Sequence, residues 1–270
     1  MKIQWLGTAA AEGWPAVFCR CDACRRAAAE GGKNIRTRAG AIVDDVLLID
    51  LNPDLYAQKL RLGLDLVALQ AVVVTHNHGD HLTPLHMEFR SRVYNLVDLP
   101  PLPVFGPADA IGELRPYEAF LTLRAVEAGE VFETGMHRVT ALKAVHSAPQ
   151  GLFFWIEREE KSIVYMHDTG IGCEAALAML RERAERPIDL ISMDCTYGPN
   201  PLPAGYSSHM GFAENIRLKE RLLREGVADG HTRFVCNHFS HNGRLLHEEM
   251  RRRMEPYGIE IAYDGMIAEV

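Results

Sequence analysis

The chain has 270 residues, 47% hydrophobic and 24% charged, an ordinary globular composition that needs no disulfides to hold a core. Its 29 Lys and Arg against 36 Asp and Glu give a formal charge of −7, which argues against a general nucleic-acid binder with a basic face. The longest apolar stretch, Asp65–Thr75, is interrupted by Gln70 and is far short of a membrane span; no linker, repeat or low-complexity segment divides residues 1–270, so one α/β domain is expected.

The opening MKIQWLGTAAAEGWP has one lysine and no continuous apolar run. That argues against a secretory signal and predicts a cytoplasmic protein. Lys2–Thr8 reads as a strand running into a Gly-rich loop. Ala41–Val43 and Val46–Asp50 flank the acidic turn Asp44–Asp45 and predict a hairpin. Asn52–Leu62 has helical spacing, with Asn52 as cap and Pro53 at the first helical position. Ala71–Thr75 is a β-branched apolar run suited to a strand covered on both faces. Strands are predicted at Val104–Gly106, Arg138–Val145, Gly151–Glu157, Lys161–Asp168, Leu190–Asp194 and Arg233–His238. Helices are predicted at Glu174–Arg183 and Phe212–Glu225. Ile259–Tyr263 and Met266–Val270 predict a closing hairpin around Asp264–Gly265.

Chemistry gathers where apolar runs end. Thr75-His76-Asn77-His78-Gly79-Asp80-His81 places four ligand-type residues within six positions, directly after a buried strand. Imidazole and carboxylate together suit zinc, iron, copper or nickel, and the spacing can feed two adjacent metals. The alternative, a polar loop rich in histidine by chance, leaves that density unexplained. Further ligands must come from elsewhere, and His146, Asp168 and His238 each stand at a predicted strand end. Taken singly, each reads as a structural histidine or a cap; taken with the first loop, they complete a set.

With these residues in view, the sequence resembles the metallo-β-lactamase-fold hydrolases, whose pattern is HxHxDH followed by a distant His, Asp and His. The resemblance covers nearly the whole chain and implies a four-layer αββα sandwich with the site at one edge of the two sheets. It also implies a division of ligands. His76, His78 and His146 would hold one metal, Asp80, His81 and His238 the second, and Asp168 would bridge. Leu6-Gly7-Thr8 through Gly13-Trp14-Pro15, then Cys19-Arg20-Cys21-Asp22-Ala23-Cys24, is similar to the opening of the phosphodiesterases that accompany carbon–phosphorus lyase. Met193-Asp194-Cys195, the Ser-His-Met around His209 and Tyr263-Asp264-Gly265-Met266 are similar too. Ribonuclease Z and a quinone-cofactor biosynthesis protein share parts of this pattern.

Several expectations follow. The activity implied is hydrolysis of a small, cyclic or open, sugar or nucleotide phosphate by a hydroxide generated at two divalent metals, zinc or alternatively manganese or iron. Asp80 would orient the hydroxide, and His209 would protonate the leaving group. Asp50, ending LLID, is expected to support a ligating histidine. Cys19, Cys21 and Cys24 with His241 would hold a structural zinc; three idle thiols are the alternative. Cys173, Cys195 and Cys236 read as small buried hydrophobes. Arg36, Arg38, Lys143 and Arg244 are candidates to meet a second phosphate. His86, His137, His231 and His247 read as surface residues, and His167 is expected to face away from Asp168. The expected partner is a small-molecule phosphate ester rather than a membrane or nucleic acid, and a homodimer stays open. A redox di-iron enzyme of this fold would carry glutamate in place of His78, and a transfer-RNA nuclease a basic arm. Rival readings are a thioester, lactone or RNA hydrolase, or a non-catalytic carrier protein of quinone-cofactor biosynthesis.

Overall fold

The computed structural model describes all 270 residues and arranges its strands in two sheets of seven. The first sheet runs, edge to edge, β14 (Ile267–Glu269), β1 (Lys2–Gly7), β2 (Gly40–Val43), β3 (Leu47–Ile49), β4 (Ala71–Val73), β5 (Leu102–Gly106) and β6 (Leu121–Ala125). The second runs β13 (Ile259–Ile261), β12 (Arg233–Asn237), β11 (Leu190–Asp194), β10 (Lys161–Met166), β9 (Leu152–Arg158), β8 (His137–Lys143) and β7 (Val131–Thr134). Six helices accompany them: α1 (Asp22–Glu30), α2 (Leu55–Leu62), α3 (Ala108–Leu114), α4 (Glu174–Arg183), α5 (Phe212–Arg224) and α6 (His247–Met254).

The apolar periodicity sorts these elements into layers. In β4, Ala71 and Val73 pack between the sheets with Trp5, Phe154, Tyr165 and Val235. Val72 and Val74 face outward against Leu55 of α2 and Ile111 and Leu114 of α3. The unbroken apolar run is therefore explained by a strand buried on both faces. On the second sheet, Val164, Met166, Ile191 and Met193 face outward against Leu177 and Leu180 of α4, Leu218 and Leu222 of α5 and Met250 and Met254 of α6. Three apolar layers between four structural layers make the αββα sandwich. No helix is long and apolar enough to cross a membrane.

Strand direction decides where the site falls. β3, β4 and β5 are parallel, so the residues after Ile49 and Val73 emerge at one edge of the first sheet. β10, β11 and β12 are parallel, and β8 runs with them because it is two antiparallel steps from β10. Hence the chain after Lys143, Met166, Asp194 and Asn237 emerges at one edge of the second sheet. Leu152 N donates to Thr75 O at 2.9 Å and joins the two sheets beside that edge.

Three expectations are corrected. The helix after Asn52 starts at Leu55, because the Asn52 side chain accepts from Asp54 N in an Asx turn (2.9 Å) instead of capping a helix at Pro53. The closing hairpin does not form. Met266 N does bond to Tyr263 O (2.9 Å), but β13 pairs with β12 in the second sheet and β14 with β1 in the first. The turn at Asp264 is a crossover, anchored by bonds from Thr8 Oγ1 (2.6 Å) and Thr37 N (2.7 Å) to its carboxylate. Finally, His137 and His247 are buried rather than at the surface. His137 meets Asp44 (2.9 Å) and His247 meets Arg36 (3.2 Å).

Candidate metal centre

The loop after β4 carries His76, His78, Asp80 and His81 to the shared edge. His146 arrives from the loop after β8, Asp168 from the end of β10 and His238 from the end of β12. Ligand-type atoms of His76, His78 and His146 lie within 4.8 Å of one another, as do those of Asp80, His81, Asp168 and His238. The Asp168 carboxylate lies between the two groups. Its Oδ2 is 2.7 Å from His81 Nε2, 3.3 Å from His76 Nε2 and 4.0 Å from His146 Nε2. All seven residues that the sequence singled out therefore converge.

The histidines are oriented from behind. His81 Nδ1 meets Asp50 Oδ2 at 2.7 Å, His76 Nδ1 meets Thr75 Oγ1 at 3.0 Å, and His238 Nδ1 meets Thr196 Oγ1 at 2.9 Å. His146 Nδ1 lies 3.3 Å from Ser208 O. Each contact engages Nδ1 and turns Nε2 toward the centre, whereas His78 presents Nδ1, 3.1 Å from His146 Nε2. Asp50 is fully buried and also accepts from Thr75 N at 2.7 Å, so it is a supporting group and not an exposed charge.

The electrostatics are those of a site built for cations. His76 Nε2, His81 Nε2, His238 Nε2 and Asp168 Oδ1 are buried and make no well-aligned hydrogen bond in the protein, their polar neighbours being one another's ligand-type atoms. Buried polar atoms without partners are rare because each one costs about 1–3 kcal/mol. Four such atoms facing one centre, all nitrogen or carboxylate oxygen, fit divalent metal. Burial opposes charge on Asp80, but His81 and His238 hold its carboxyl well below the usual range. Burial, then the cationic partner His81, keeps His76 neutral, with its pKa well below the ordinary histidine value.

The sequence reading named Asp194 within a motif but gave it no role in the site. It is fully buried at the end of β11, and its Oδ2 lies 2.9 Å from His209 Nδ1. Its Oδ1 accepts from Thr196 N (3.1 Å) and Met210 N (2.9 Å). The signal was present: LISMD ends an apolar strand in aspartate just as LLID does. Burial works against charge on His209, yet the carboxylates of Asp194, Asp168 and Asp80 outweigh it and hold its pKa up to about 9. Gly170 fixes the height of this group. A Cβ there would fall 1.6 Å from Ser207 O, so only glycine lets the loop bearing His209 lie against the strand end bearing Asp168.

The other candidates separate clearly. Ligand-type atoms of Cys19, Cys21, Cys24 and His241 lie within 4.8 Å of one another, with Cys21 Sγ 3.5 Å from His241 Nδ1. Cys21 caps α1. Burial opposes its thiolate, but Cys24 N–H and His241 bring the pKa down to about 6. Cys173, Cys195 and Cys236 are buried in the apolar layer, as expected. His167 is turned away from Asp168, with its Nε2 2.9 Å from Ser192 Oγ. Arg36 cannot meet a substrate. It is buried, donates to Thr8 Oγ1 and Ala262 O (2.7 Å each), and lies over the Phe239 ring. Arg38 is paired with Asp54 at 2.9 Å, Lys143 donates to Pro149 O, and Arg244 is exposed.

Solved structures share this architecture along the whole chain. A diphosphatase of the PhnP family superposes with a TM-score of 0.75 at 22% identity, covering 100% of this chain and 97% of the other. Zn(2+)-bound PqqB from Methylobacterium extorquens gives 0.79 at 19% identity, with both chains fully covered. Human tRNase Z, short form, gives 0.65 at 16% identity, covering 100% and 99%. At such identities the likeness speaks for the fold, and no curated protein matches by sequence. Residues 46–232 match the β-lactamase superfamily domain, and the chain, folded as that match requires with its donor residues at the shared sheet edge, belongs to this family.

Proposed function

We propose that the protein is a two-metal phosphodiesterase acting in the cytoplasm on a small sugar or nucleotide phosphate, cyclic esters included. One observation carries the reading: beside two adjoining donor clusters stands a third group, His209, kept cationic by Asp194. The donors alone would suit many hydrolases. A half-buried imidazolium beside them suits an anionic ester whose leaving group is a poor, unactivated alkoxide.

In this reading His76, His78 and His146 would hold one divalent metal and Asp80, His81 and His238 another, with Asp168 placed between the two groups. Zinc, manganese and iron all suit these ligands. A metal bound there would supply Lewis acidity and lower the pKa of water from about 15.7 to about 7. Asp80, held ionised, accepts a hydrogen bond from the attacking water and orients it. His209 gives its Nδ1 proton to the bond with Asp194 and keeps the Nε2 proton for the departing oxygen. Cys19, Cys21, Cys24 and His241 would hold a structural zinc, for which three thiolates and an imidazole are a usual set.

The fold likeness to PqqB supports a second reading, a carrier protein of quinone-cofactor biosynthesis without turnover. A substrate screen separates the two. Metallated protein is incubated with bis(p-nitrophenyl) phosphate, a ribose cyclic phosphate, a thioester and a β-lactam, and its metals are counted by elemental analysis. Turnover of the phosphate esters, abolished by Asp80→Asn, is expected with about three metals per chain. No turnover of any phosphate ester by fully metallated protein would refute the phosphodiesterase.

A further inference from the structure

The segment just beyond the metal-binding loop turns an apolar face to solvent. Between Pro84 and Asp98, Leu85 and Phe89 are 50% exposed, Tyr94 57%, Val97 59%, Val93 83% and Leu96 93%. Scattered exposed hydrophobes are normal, but six on one short segment are not. Nor is the segment a loose loop. Met87 is buried in the core, His86 Nε2 meets Asn52 O at 2.9 Å, and Arg90 reaches Pro100 O at 2.6 Å. Arg92 donates to Leu96 O at 2.8 Å, and the Asn95 side chain accepts from Val97 N at 3.2 Å. Phe89 and Tyr94 pack edge to face, with centroids 5.3 Å apart, outside any core. Hydrogen bonds thus hold these apolar groups outward in a fixed shape.

Charge selects the occupant. Glu88 and Asp98 cancel Arg90 and Arg92, so the segment is neutral and the whole −7 of the chain lies elsewhere. An anionic lipid surface or a nucleic acid would want a basic rim here and would be repelled by the rest of the molecule. A second copy is repelled by most of the surface too, but not by this face. Because the face carries both signs, it can match itself across a twofold axis, as isologous interfaces require. We propose that residues 84–98 form the contact of a homodimer. The two half-exposed aromatic rings alone offer roughly 200 Å² of the ~800 Å² that each partner of a stable interface buries. The four aliphatic side chains between and beside them extend the apolar centre.

The test is sedimentation equilibrium of the metallated wild type and of the double variant Val93→Glu, Leu96→Glu, both at 1–100 µM. Both substituted residues are exposed in the monomer, so the variant should keep its metal content and melting temperature. The wild type should sediment at twice 30.2 kDa and the variant at 30.2 kDa, with dimerisation weakened by at least 100-fold. A wild type monomeric at 100 µM, or a dimer indifferent to the two charges, would overturn the proposal. So would wild-type protein that floats with anionic vesicles while remaining a monomer in their absence.

Discussion

Asp194→Asn is the substitution that bears hardest on the catalytic reading. Asparagine keeps the size of the side chain, and its Oδ1 can still accept from Thr196 N and Met210 N, so the end of β11 should hold its shape. What goes is the negative charge 2.9 Å from His209 Nδ1. With that charge the His209 pKa is held up to about 9. Asp194 is the strongest of the three carboxylates that raise it, ahead of Asp168 and Asp80, so a return to about 6.5, the ordinary histidine value, is taken as the full extent of the effect. At pH 8 the protonated fraction would then fall from about 90% to about 3%, and at pH 7 from about 99% to about 24%. Those ratios predict losses of up to about 30-fold at pH 8 and up to about fourfold at pH 7 in any step that needs the His209 proton, the larger loss at the higher pH. The sign is fixed by the chemistry: the protonated form is the active one, so activity disappears on the alkaline side. The assay is kcat/KM against pH on two substrates, an alkyl phosphodiester and a p-nitrophenyl one. The alkaline limb of the alkyl profile should move down from about pH 9 toward 6.5, while the aryl profile, whose leaving anion is stable without a proton, should stay in place. An alkaline limb that does not move, or equal losses on both substrates, would show that His209 does not donate that proton.

Two further perturbations address the same assembly from other sides. Cys21→Ser should release one metal of about three and lower the melting temperature, with the other two metals retained; elemental analysis and calorimetry decide, and unchanged values would leave the thiols idle. Gly170→Ala drives a Cβ to 1.6 Å from Ser207 O, so the loop bearing His209 must move. Both metals should remain while turnover of the alkyl ester drops by up to about 10²–10⁴-fold, the span of general-acid catalysis; an alkyl rate equal to wild type would mean that the loop does not position His209.

Much of the site could be read because its signals are local. HxHxDH follows a strand whose burial on both faces is written in its apolar run, and the other members close apolar runs in the same way. The same rule, applied to the predicted strand Leu190–Asp194, marks Asp194 as a site residue as well, although its role rests on contact with a residue 15 positions away. What stayed hidden is non-local. The Asp264–Gly265 turn is genuine, yet no local pattern reports that its two arms enter different sheets. Arg36 looks like a surface cation in sequence. Only the fold shows it buried between Thr8, Ala262 and His247, contacts up to 226 positions distant. His137 and His247 were misjudged for the same reason, since their partners Asp44 and Arg36 come from the first sixth of the chain. Phe89, Val93 and Leu96 are non-local in another sense, because apolar residues in a sequence cannot say whether their face turns to the core or, as here, away from it.

The backbone at the centre shows what holds this constellation in place. Asp50, Asp168 and His238 follow the last residues of β3, β10 and β12, and all three adopt left-handed conformations, with φ of 68°, 48° and 61°. For residues with a Cβ that conformation costs of order 1–3 kcal/mol each, and it persists only where the surroundings over-determine it. Here they do. Asp50 N bonds to Val73 O at 2.9 Å while its carboxylate takes Thr75 and His81; Gly170 N bonds to Val145 O at 3.1 Å just after Asp168; Phe239 N bonds to Thr8 O at 2.9 Å just after His238. The kink turns each side chain from the alternation of its strand toward the shared edge, where donors from both sheets can meet. Glycine would take the same φ without strain, but it brings no ligand atom. The chain therefore keeps aspartate or histidine at these positions, and the hydrogen bonds around them offset the strain. Such a preformed set of buried, unpartnered donors is the arrangement that cation binding stabilises, since a ligand that binds only the folded state adds about 2.7 kcal/mol at a hundred times its dissociation constant.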